Sequence, residues 1–396
     1  MENTLIRISS CEVCSNKNLI DVLNLGNHPL CDSLIQIGDS TSCDEYPIDI
    51  VFCNQCKTAH QKYQVSKKVI FTETYHYRSK LTRNVTQGMM DLVNSYKKDF
   101  GSLVGLKVLD VGCNDGTLLN FFKEEGAKTF GIDPTGAAKE AAIQHKVIQA
   151  YLDDINTELL IKKFGLFDVI TFTNVFAHIE DISSLIRNTK KLMQDSTTLI
   201  IENHYLGSIF KLSQFDTFYH EHPRTYSLTS LKYIAKKMKR KISKCEFPER
   251  YGGNIRVFIS KHKEDTKYFD DDLDYIGLFN NLNSEMNDWI INKRKELDIY
   301  FEKYGRLPAK AFPGRAAILI NLLGLTEDNI SAVYEIKGSI KTGFYIPGTR
   351  IPILPEVELY KKTQQKPIIN LAWHISDEVK KNLKNNNYTA EVIDIK

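Results

Sequence analysis

Short apolar runs alternate with amphipathic segments between residues 84 and 202. The apolar runs have the length of buried strands, and the segments between them carry apolar residues at the spacing of a helix. The predicted strands are Lys107–Val111, Lys128–Ile132, 146–150, Phe167–Thr173 and 197–202, and the predicted helices are 84–99, 117–125 and 136–145. This alternation predicts parallel strands joined by crossover helices, which is a doubly wound α/β sheet.

A second α/β pattern follows a charged stretch at residues 261–274. A long helix is predicted at Tyr275–Tyr304, where Leu278, Leu282 and Met286 repeat at helical spacing. Strands are predicted after it at 307–312, 330–336, 351–354 and 367–372. The charged stretch therefore marks a domain boundary with a second α/β unit on its far side.

Composition and charge exclude several classes of protein. The 396 residues are 42% hydrophobic and 26% charged, which is typical of a globular protein. A net charge of +3 excludes binding to nucleic acid through bulk positive charge. No apolar run reaches the ~20 residues that span a bilayer, and the first residues lack the basic and apolar regions of a secretory signal. We expect a cytoplasmic protein without a membrane or nucleic-acid partner.

Four of the eight cysteines form two Cys-x-x-Cys pairs, Cys11 with Cys14 and Cys53 with Cys56. Two such turns supply the four sulfurs of a tetrahedral zinc site, which leaves no position for water, so this zinc would be structural. The alternatives are two unrelated pairs or one redox pair of the thioredoxin type. A reducing compartment argues against disulfides. The two further early cysteines, which we expect to be buried free thiols, are Cys31 and Cys43.

A glycine turn follows the first predicted strand of the sheet. Asp110 lies in that strand, the turn contains Gly112, Asn114 and Gly116, and Asp133 ends the next strand. Glycines allow a tight turn close to a ligand, and a carboxylate about 20 residues further on can hold both hydroxyls of a ribose. The Gly-x-Gly-x-x-Gly fingerprint of nicotinamide cofactors is absent. The alternative to a cofactor site is a Rossmann-like strand, turn and helix that bind no ligand. The pattern resembles motif I of class I S-adenosylmethionine-dependent methyltransferases, which implies that Asp110 lies near the methionine amino group.

Polar side chains cluster where the fourth and fifth predicted strands end. Asn174 and His178 follow the fourth strand, and the fifth leads to the run Tyr-His-Glu-His at residues 219–222. Substrates bind at the carboxyl ends of strands in such sheets. A solvated loop is one alternative, and a metal site that uses His220 and His222 is another.

Over nearly all of its length the chain resembles the nucleotide-sugar C-methyltransferases of deoxysugar biosynthesis, such as those that methylate carbon 3 of dTDP-4-keto-sugars. Each motif is short, but their order and spacing make the resemblance specific. The motifs are the two cysteine pairs with 25–30 and 46–47 between them, then Tyr75-His76-Tyr77-Arg78-Ser79, 174–178, 219–222, 252–257 and 345–353. Residues 223–225, 311–314 and 334–337 depart from the family pattern, which bears on the substrate more than on the class of reaction.

The resemblance implies three domains. These are a zinc-binding domain at 1–66, a class I methyltransferase domain with the doubly wound sheet at 67–262, and a second, Rossmann-like α/β domain at 263–396. It implies S-adenosylmethionine as cofactor, structural Zn²⁺, and a nucleotide-diphosphate keto-sugar as substrate. The implied cofactor-binding residues are Asp110, Gly112, Asn114, Gly116, Asp133 and Asn174, and the implied zinc ligands are Cys11, Cys14, Cys53 and Cys56.

The implied reaction requires a base beside a ketone. A neighbouring carbonyl makes the sugar C–H acidic because the carbanion delocalises as an enolate, whose carbon then takes the methyl group from the sulfonium. We expect His222 to be the base, since imidazole titrates near neutral pH, and Tyr219 to donate to the enolate oxygen or relay the proton. The choice of base between them stays open. Glu221 would orient a neighbouring ring, and His178 and Tyr75 would complete the pocket.

Several basic residues are candidates for the diphosphate, although each is also explained as a solvated surface side chain. They are Arg78, Lys80, Arg224, Arg256 and Arg315. The alternative functions are a sugar O-methyltransferase on the same scaffold, a nucleic-acid methyltransferase, and a binding protein without catalysis. The titratable cluster at the strand ends argues against the last of these. The oligomeric state stays open.

Overall fold

The computed structural model describes residues 4–70, 78–81, 83–261, 273–361 and 364–396. The chain divides into two compact units. The first unit contains residues 1–21, 50–212 and 221–275, and the second contains 22–49, 213–220 and 276–396. The three domain ranges expected from the sequence stay a prediction.

The strands and helices of the described residues are numbered in chain order. The strands are β1 Leu5–Arg7, β2 Ile20–Pro29, β3 Ile35–Gln36, β4 Glu45–Cys53, β5 Thr58–Gln61, β6 Tyr63–Val65, β7 Lys107–Val111, β8 Lys128–Ile132, β9 Lys146–Ile148, β10 Phe167–Thr173, β11 Met193–His204, β12 Arg224–Tyr226, β13 Lys241–Glu246, β14 Asn254–Ser260, β15 Leu307–Lys310, β16 Ile330–Glu335, β17 Phe344–Tyr345, β18 Ile353–Pro355, β19 Ile368–Asn370 and β20 Val392–Asp394. The helices are α1 Lys67–Ile70, α2 Arg83–Phe100, α3 Thr117–Glu124, α4 Ala138–Ala141, α5 Asp154–Phe164, α6 Ile182–Leu192, α7 Leu206–Lys211, α8 Leu228–Lys237, α9 Tyr275–Tyr304, α10 Ala316–Leu322, α11 Val357–Tyr360 and α12 Ser376–Asn385.

The first unit is built on a seven-stranded sheet in the order β13-β14-β11-β10-β7-β8-β9. Strands β7 to β11 are parallel, and β14 and β13 add an antiparallel edge. Successive side chains of a strand point to opposite faces, and helices cover both faces here. Val108 and Val169 pack with α2 and α3 on one face, and Leu109 and Ile170 pack with α5, α6 and α8 on the other. The predicted doubly wound sheet is confirmed.

The order of the strands locates a crevice in this sheet. From β7 the chain moves outward to β8 and β9, and it then returns to the other side of β7 to form β10 and β11. Open α/β sheets bind ligands outside the carboxyl ends of the strands at such a switch point. The residues that follow β7 and β10 therefore face the expected ligand site.

A smaller sheet connects the cysteine-rich segment to the residues after the 219–222 run. Its strand order is β12-β5-β4-β2. Within the first unit β5 pairs antiparallel with residues 50–53 of β4 on one side and with β12 on the other. The turn between β4 and β5 carries Cys53 and Cys56.

The second unit contains a five-stranded parallel sheet in the order β18-β16-β15-β19-β20. The second α/β unit is thereby confirmed. Its switch point lies between β15 and β19, because the chain leaves β15 towards β16 and β18 and returns to β19 and β20 on the other side.

Several predicted elements differ in length from those observed. The helix predicted at 136–145 is only the four residues of α4, which has no side-chain cap, and His145 beyond it is held by Thr129 and Asn120. The strand predicted at 197–202 extends over Met193–His204 as β11, and the one at 351–354 is β18. None of the helices in the described ranges combines the length and apolar composition that a membrane crossing requires.

Candidate functional site

The turn after β7 has a backbone that favours glycine and asparagine. Gly112, Asn114 and Gly116 all have positive φ, at 74°, 49° and 82°. A Cβ on Gly112 would lie 2.4 Å from a methyl group of Val175, which follows β10. The turn after β7 and the loop after β10 are therefore in direct contact, which only a glycine at position 112 allows.

Asp133, at the end of β8, shapes the same turn. One carboxylate oxygen accepts a hydrogen bond from the backbone N–H of Asn114 at 3.0 Å, and the other accepts from the N–H and hydroxyl of Thr135 at 2.8 and 2.6 Å. The Asn114 side chain accepts from the N–H of Ser79 at 3.1 Å. The oxygen that accepts from Thr135 already has two donors, and the oxygen that accepts from Asn114 retains capacity for a further donor such as a ribose hydroxyl.

Asp110 is buried in β7 and accepts a hydrogen bond from the Thr171 hydroxyl at 2.6 Å. Burial raises the pKa of its carboxyl group to about 7, although the bond from Thr171 acts in the opposite direction. A carboxyl group poised near neutral pH fits a partner whose positive charge would favour ionisation, such as an ammonium group.

Asn174 directly follows β10 in the left-handed conformation, with φ at 53°. Its N–H donates to the carbonyl of Glu202 at 2.7 Å, and its side-chain oxygen accepts from Asn254 at 3.1 Å. The buried Glu202 carboxylate pairs with Arg250 and with Arg256, the latter at 2.7 Å. Arg256 therefore lies inside the sheet, and its assignment to a diphosphate was wrong.

Three histidines of the first unit meet beyond the carboxyl ends of β10 and β11, and we call them the histidine cluster: His178, His204 and His222. The ring centroids of His178 and His222 lie 4.8 Å apart, and those of His204 and His222 lie 5.1 Å apart. The loop after β10 supplies His178, strand β11 supplies His204, and the 219–222 run supplies His222. The structure thus brings His178 and His222 together, as the sequence predicted for a common pocket.

The orientation of the His178 ring is fixed by two backbone groups. Its Nδ1–H donates to the backbone carbonyl of Glu221 at 2.5 Å, and the ring also bonds to the backbone of Asn174. Burial lowers the pKa of His178 to about 4, and the ring is neutral at physiological pH. Glu221 therefore contacts the His178 imidazole through its backbone carbonyl.

Sequence reasoning missed His204. The predicted strand ended at Glu202, whereas β11 continues two residues further and carries His204 to the site. The pairing of His204 with Asn254 of β14 keeps the strand extended there. Extension of the predicted strand over Asn203 and His204 would have found it.

The other predicted catalytic residues do not all belong to the first unit. Tyr219 and His220 belong to the second unit, where the Nε2–H of His220 donates to the carbonyl of Tyr46 at 3.0 Å. Burial lowers the pKa of His220 to about 4. Tyr75 lies outside the described residues. A metal site at His220 and His222 finds no support in the described chain, where the one group with suitable geometry consists of cysteines.

That group, the cysteine cluster, is formed by Cys11, Cys14, Cys53 and Cys56. Their sulfur atoms all lie within 4.8 Å of one another, with Cys11 3.4 Å from Cys56 and Cys14 3.5 Å from Cys53. Sulfurs at the corners of a zinc tetrahedron lie about 3.8 Å apart, so the arrangement fits a Zn²⁺ ion. Of the two further early cysteines, Cys31 is buried as predicted, whereas Cys43 is only half-buried and its thiol donates to the carbonyl of Ser33.

The basic residues of the first unit that were candidates for a diphosphate already have carboxylate partners. Arg224 has a fully buried side chain and pairs with Glu12 at 2.6 Å, so its assignment to a phosphate was wrong. Arg78 and Lys80 both pair with Glu140 near the surface, at 2.8 and 2.5 Å. Surface pairs of this kind are weak, and a phosphate competes with them readily.

Arg315 of the second unit remains a candidate. It follows β15 at the switch point, pairs with Asp216 at 3.3 Å and stacks on Trp373, which follows β19. One buried guanidinium nitrogen of Arg315 and Nδ1 of the adjacent His374 have no hydrogen-bond partner. Buried polar atoms without partners at a ligand crevice indicate a polar ligand.

Comparisons with known proteins match three successive parts of the chain. Residues 11–71 match a family model described as "Putative zinc binding domain", 75–238 match a methyltransferase domain, and 249–391 match a C-methyltransferase C-terminal domain. These matches confirm the cofactor predictions, S-adenosylmethionine for the methyltransferase domain and zinc for the cysteine cluster.

Individual relatives cover smaller shares. The C-methyltransferase NovU of Streptomyces niveus is 26% identical over 265 residues, which is 66% of this chain and 62% of NovU. A ubiquinone biosynthesis O-methyltransferase of Escherichia coli O7:K1 is 34% identical over 98 residues, 24% of this chain and 41% of the relative. The chain thus spans less than two thirds of either relative.

Among solved structures, magnesium protoporphyrin IX methyltransferase (ChlM) from Synechocystis PCC 6803 with bound SAH is 18% identical. It aligns with a TM-score of 0.37 over 44% of this chain and 83% of ChlM. The three domain matches in their order, together with the likeness to NovU, support a C-methyltransferase family with an N-terminal zinc-binding domain and so confirm the resemblance predicted from the sequence.

Proposed function

We propose that this protein transfers a methyl group from S-adenosylmethionine to a carbon beside a ketone in a nucleotide-diphosphate-linked deoxysugar. The histidine cluster is the observation that carries the proposal. The His222 ring lies 4.8 Å from that of His178 and 5.1 Å from that of His204, at the ends of the strands where such sheets bind substrates. The loop that carries His178 contacts the turn expected to hold the methyl donor, through Val175 and Gly112.

Six residues in β7, in the turn after it and directly after β8 and β10 would hold the cofactor: Asp110, Gly112, Asn114, Gly116, Asp133 and Asn174. Asp133 would accept from a ribose hydroxyl, and Asp110 would face the methionine amino group. Gly112 and Gly116 keep the backbone close to the ligand, and Asn174 closes the site after β10. The bound cofactor supplies an electrophilic methyl group on a sulfonium.

His222 would remove the proton next to the ketone. His178 is neutral and held by the backbone of Glu221 and Asn174, and its ring, packed beside His222, would orient that residue or the substrate. The His204 ring lies 5.1 Å from that of His222 and would limit its rotation. Tyr219 remains the proposed donor to the enolate oxygen or proton relay, and Tyr75 would complete the pocket. The choice of base between Tyr219 and His222 is left to experiment.

The nucleotide diphosphate would bind in the second unit. Arg315 offers a guanidinium nitrogen without a partner, and its stacking on Trp373 holds the guanidinium in place for a phosphate. The sugar, the nucleotide and the location of the reaction in the cytoplasm are predictions from the sequence.

A labelled methyl donor and a panel of nucleotide keto-sugars test the proposal. The protein is expected to methylate one of them, and without the methyl donor it is expected to exchange the hydrogen beside the ketone for deuterium in heavy water. His222→Asn should lose both activities, whereas His145→Asn, which changes a buried histidine outside the cluster, should keep them. Full transfer by both His222→Asn and Tyr219→Phe would refute the assignment of the base.

A further inference from the structure

The cysteine cluster and the histidine cluster are joined by a buried chain of polar contacts within the first unit. It begins at Cys11, whose sulfur lies 3.3 Å from Nε2 of His60. Nδ1 of His60 lies 3.4 Å from the carboxylate of Glu12, which also accepts from Gln64 at 2.8 Å. Glu12 stands between the two cysteines of the first pair, so the turn that holds the metal also holds this carboxylate.

Arg224 connects this carboxylate to the site. Its Nη1 donates to Glu12 at 2.6 Å and to the backbone carbonyl of Glu180 at 3.1 Å, and its Nε donates to the Tyr226 hydroxyl at 3.1 Å. The Arg224 side chain is 0% exposed. A buried cation is held where its partners are, because moving it away from them leaves charge uncompensated.

Arg224 joins the cysteine turn to two segments that lie next to the histidine cluster in the sequence, its own segment and that of Glu180. Arg224 itself is two residues after His222, in the strand β12 that pairs with β5 beside the cysteine turn. Glu180 is two residues after His178, and the Glu221 carbonyl holds the His178 ring. The side chain of Arg224 therefore fixes the distance between the two segments that carry His178 and His222.

We propose that Arg224, held by Glu12 in the metal-binding turn, is a positioning residue that sets the separation and orientation of His178 and His222. The zinc-binding module then acts on the reaction through geometry, without contact with substrate. The inference depends on the proposed function for its importance to catalysis, but its geometric content is measurable without any substrate.

The test uses the zinc-loaded protein with ¹³C at Cε1 of its histidines, and NMR signals assigned by single His→Gln variants. Arg224→Met is expected to displace the signals of His178 and His222 while zinc content is retained. The signals of His145 and His374 should stay in place, and Arg224→Lys should give an intermediate displacement. Glu12→Gln, which keeps the side-chain size, should move the same two signals.

Lys310→Met is the matched control, because Lys310 is a buried cation paired with Glu356 at 2.6 Å in the second unit. It is expected to lower the unfolding temperature without moving the His178 and His222 signals. If both Arg224→Met and Glu12→Gln leave those signals unmoved, Arg224 only stabilises the fold and the inference is overturned. Should Arg224→Met fail to fold, Glu12→Gln decides alone. Displaced signals in a protein that methylates no keto-sugar would instead count against the proposed function.

Discussion

At the scale of single residues, the methyl-donor site depends on backbone conformations that few side chains tolerate. Gly112 is both left-handed and in contact with Val175, so two separate constraints act at one position. Asp110 is buried among apolar residues of β7 and carries a carboxyl group with a raised pKa. Each property gives a measurable consequence for cofactor binding.

Replacement of Gly112 by alanine is expected to weaken S-adenosylmethionine binding at least tenfold, because the new methyl group would push the turn away from Val175. Gly105→Ala is the control, since Gly105 also has positive φ, at 77°, but has nothing within 4 Å of its Cβ position. It should cost about 1 kcal/mol of folding free energy and leave the affinity unchanged. Isothermal titration calorimetry separates the two; equal losses of affinity would contradict the close approach.

Cofactor affinity is expected to depend on the ionisation of Asp110. The pKa near 7 means that the carboxyl group becomes protonated as the pH falls below 7, and a protonated group no longer attracts an ammonium. Affinity should therefore rise with pH up to about 7 and fall by up to about tenfold per unit below it. Calorimetry from pH ~5.5 to ~7, where the amino group of the cofactor stays charged, measures this. Asp110→Asn should abolish the slope, and a flat wild-type profile would disprove the role.

At the scale of elements, periodicity in the sequence predicted what is local and missed what is distant. Phe167–Thr173 and Tyr275–Tyr304 have the predicted bounds, because burial on both faces and a helical repeat are visible in a short window. The sequence made Arg224 and Arg256 candidates for binding phosphate. Their carboxylate partners come from other strands and turns, so a local pattern does not show the pairing. The contact of His204 with His222 likewise depends on sheet topology and not on local pattern.

The zinc-binding module is expected to be a folding element. Cys14→Ser should lose zinc and lower the unfolding temperature by roughly 5–10 °C, because the free energy of metal binding is part of the free energy of folding. Cys43→Ser, which changes a half-buried thiol outside the cysteine cluster, should retain both zinc and stability. Metal analysis and calorimetry provide the readouts. Retention of zinc by Cys14→Ser would contradict a four-sulfur site.

At the scale of the whole molecule, two α/β sheets each offer a switch point, and only that of the first sheet lies within the residues that match a methyltransferase domain. The crevice of the second sheet contains Arg315, Trp373 and His374, with polar atoms that lack partners. The sequence predicted the two sheets from their alternating pattern. It could not distinguish Arg315 from the other basic candidates, because burial and pairing decide which cation is available.

Arg315→Met is expected to weaken the binding of thymidine or uridine diphosphate about tenfold and leave S-adenosylmethionine binding unchanged, since a charge-assisted contact to phosphate is lost. Arg294→Met is the control, because Arg294 is a half-buried helix residue paired with Asp298 four positions away. Calorimetry with each nucleotide provides the measurement. Unchanged affinity for both diphosphates in Arg315→Met would remove the second crevice from the account.

The identity of the atom that receives the methyl group tests the account most directly. The protein is incubated with ¹³C-methyl S-adenosylmethionine and a nucleotide keto-sugar, and the product is analysed by NMR and mass spectrometry. We expect the labelled methyl on the ring carbon beside the ketone, and its loss in His222→Asn. A labelled methyl on oxygen would contradict the enolate route and favour a sugar O-methyltransferase on this scaffold.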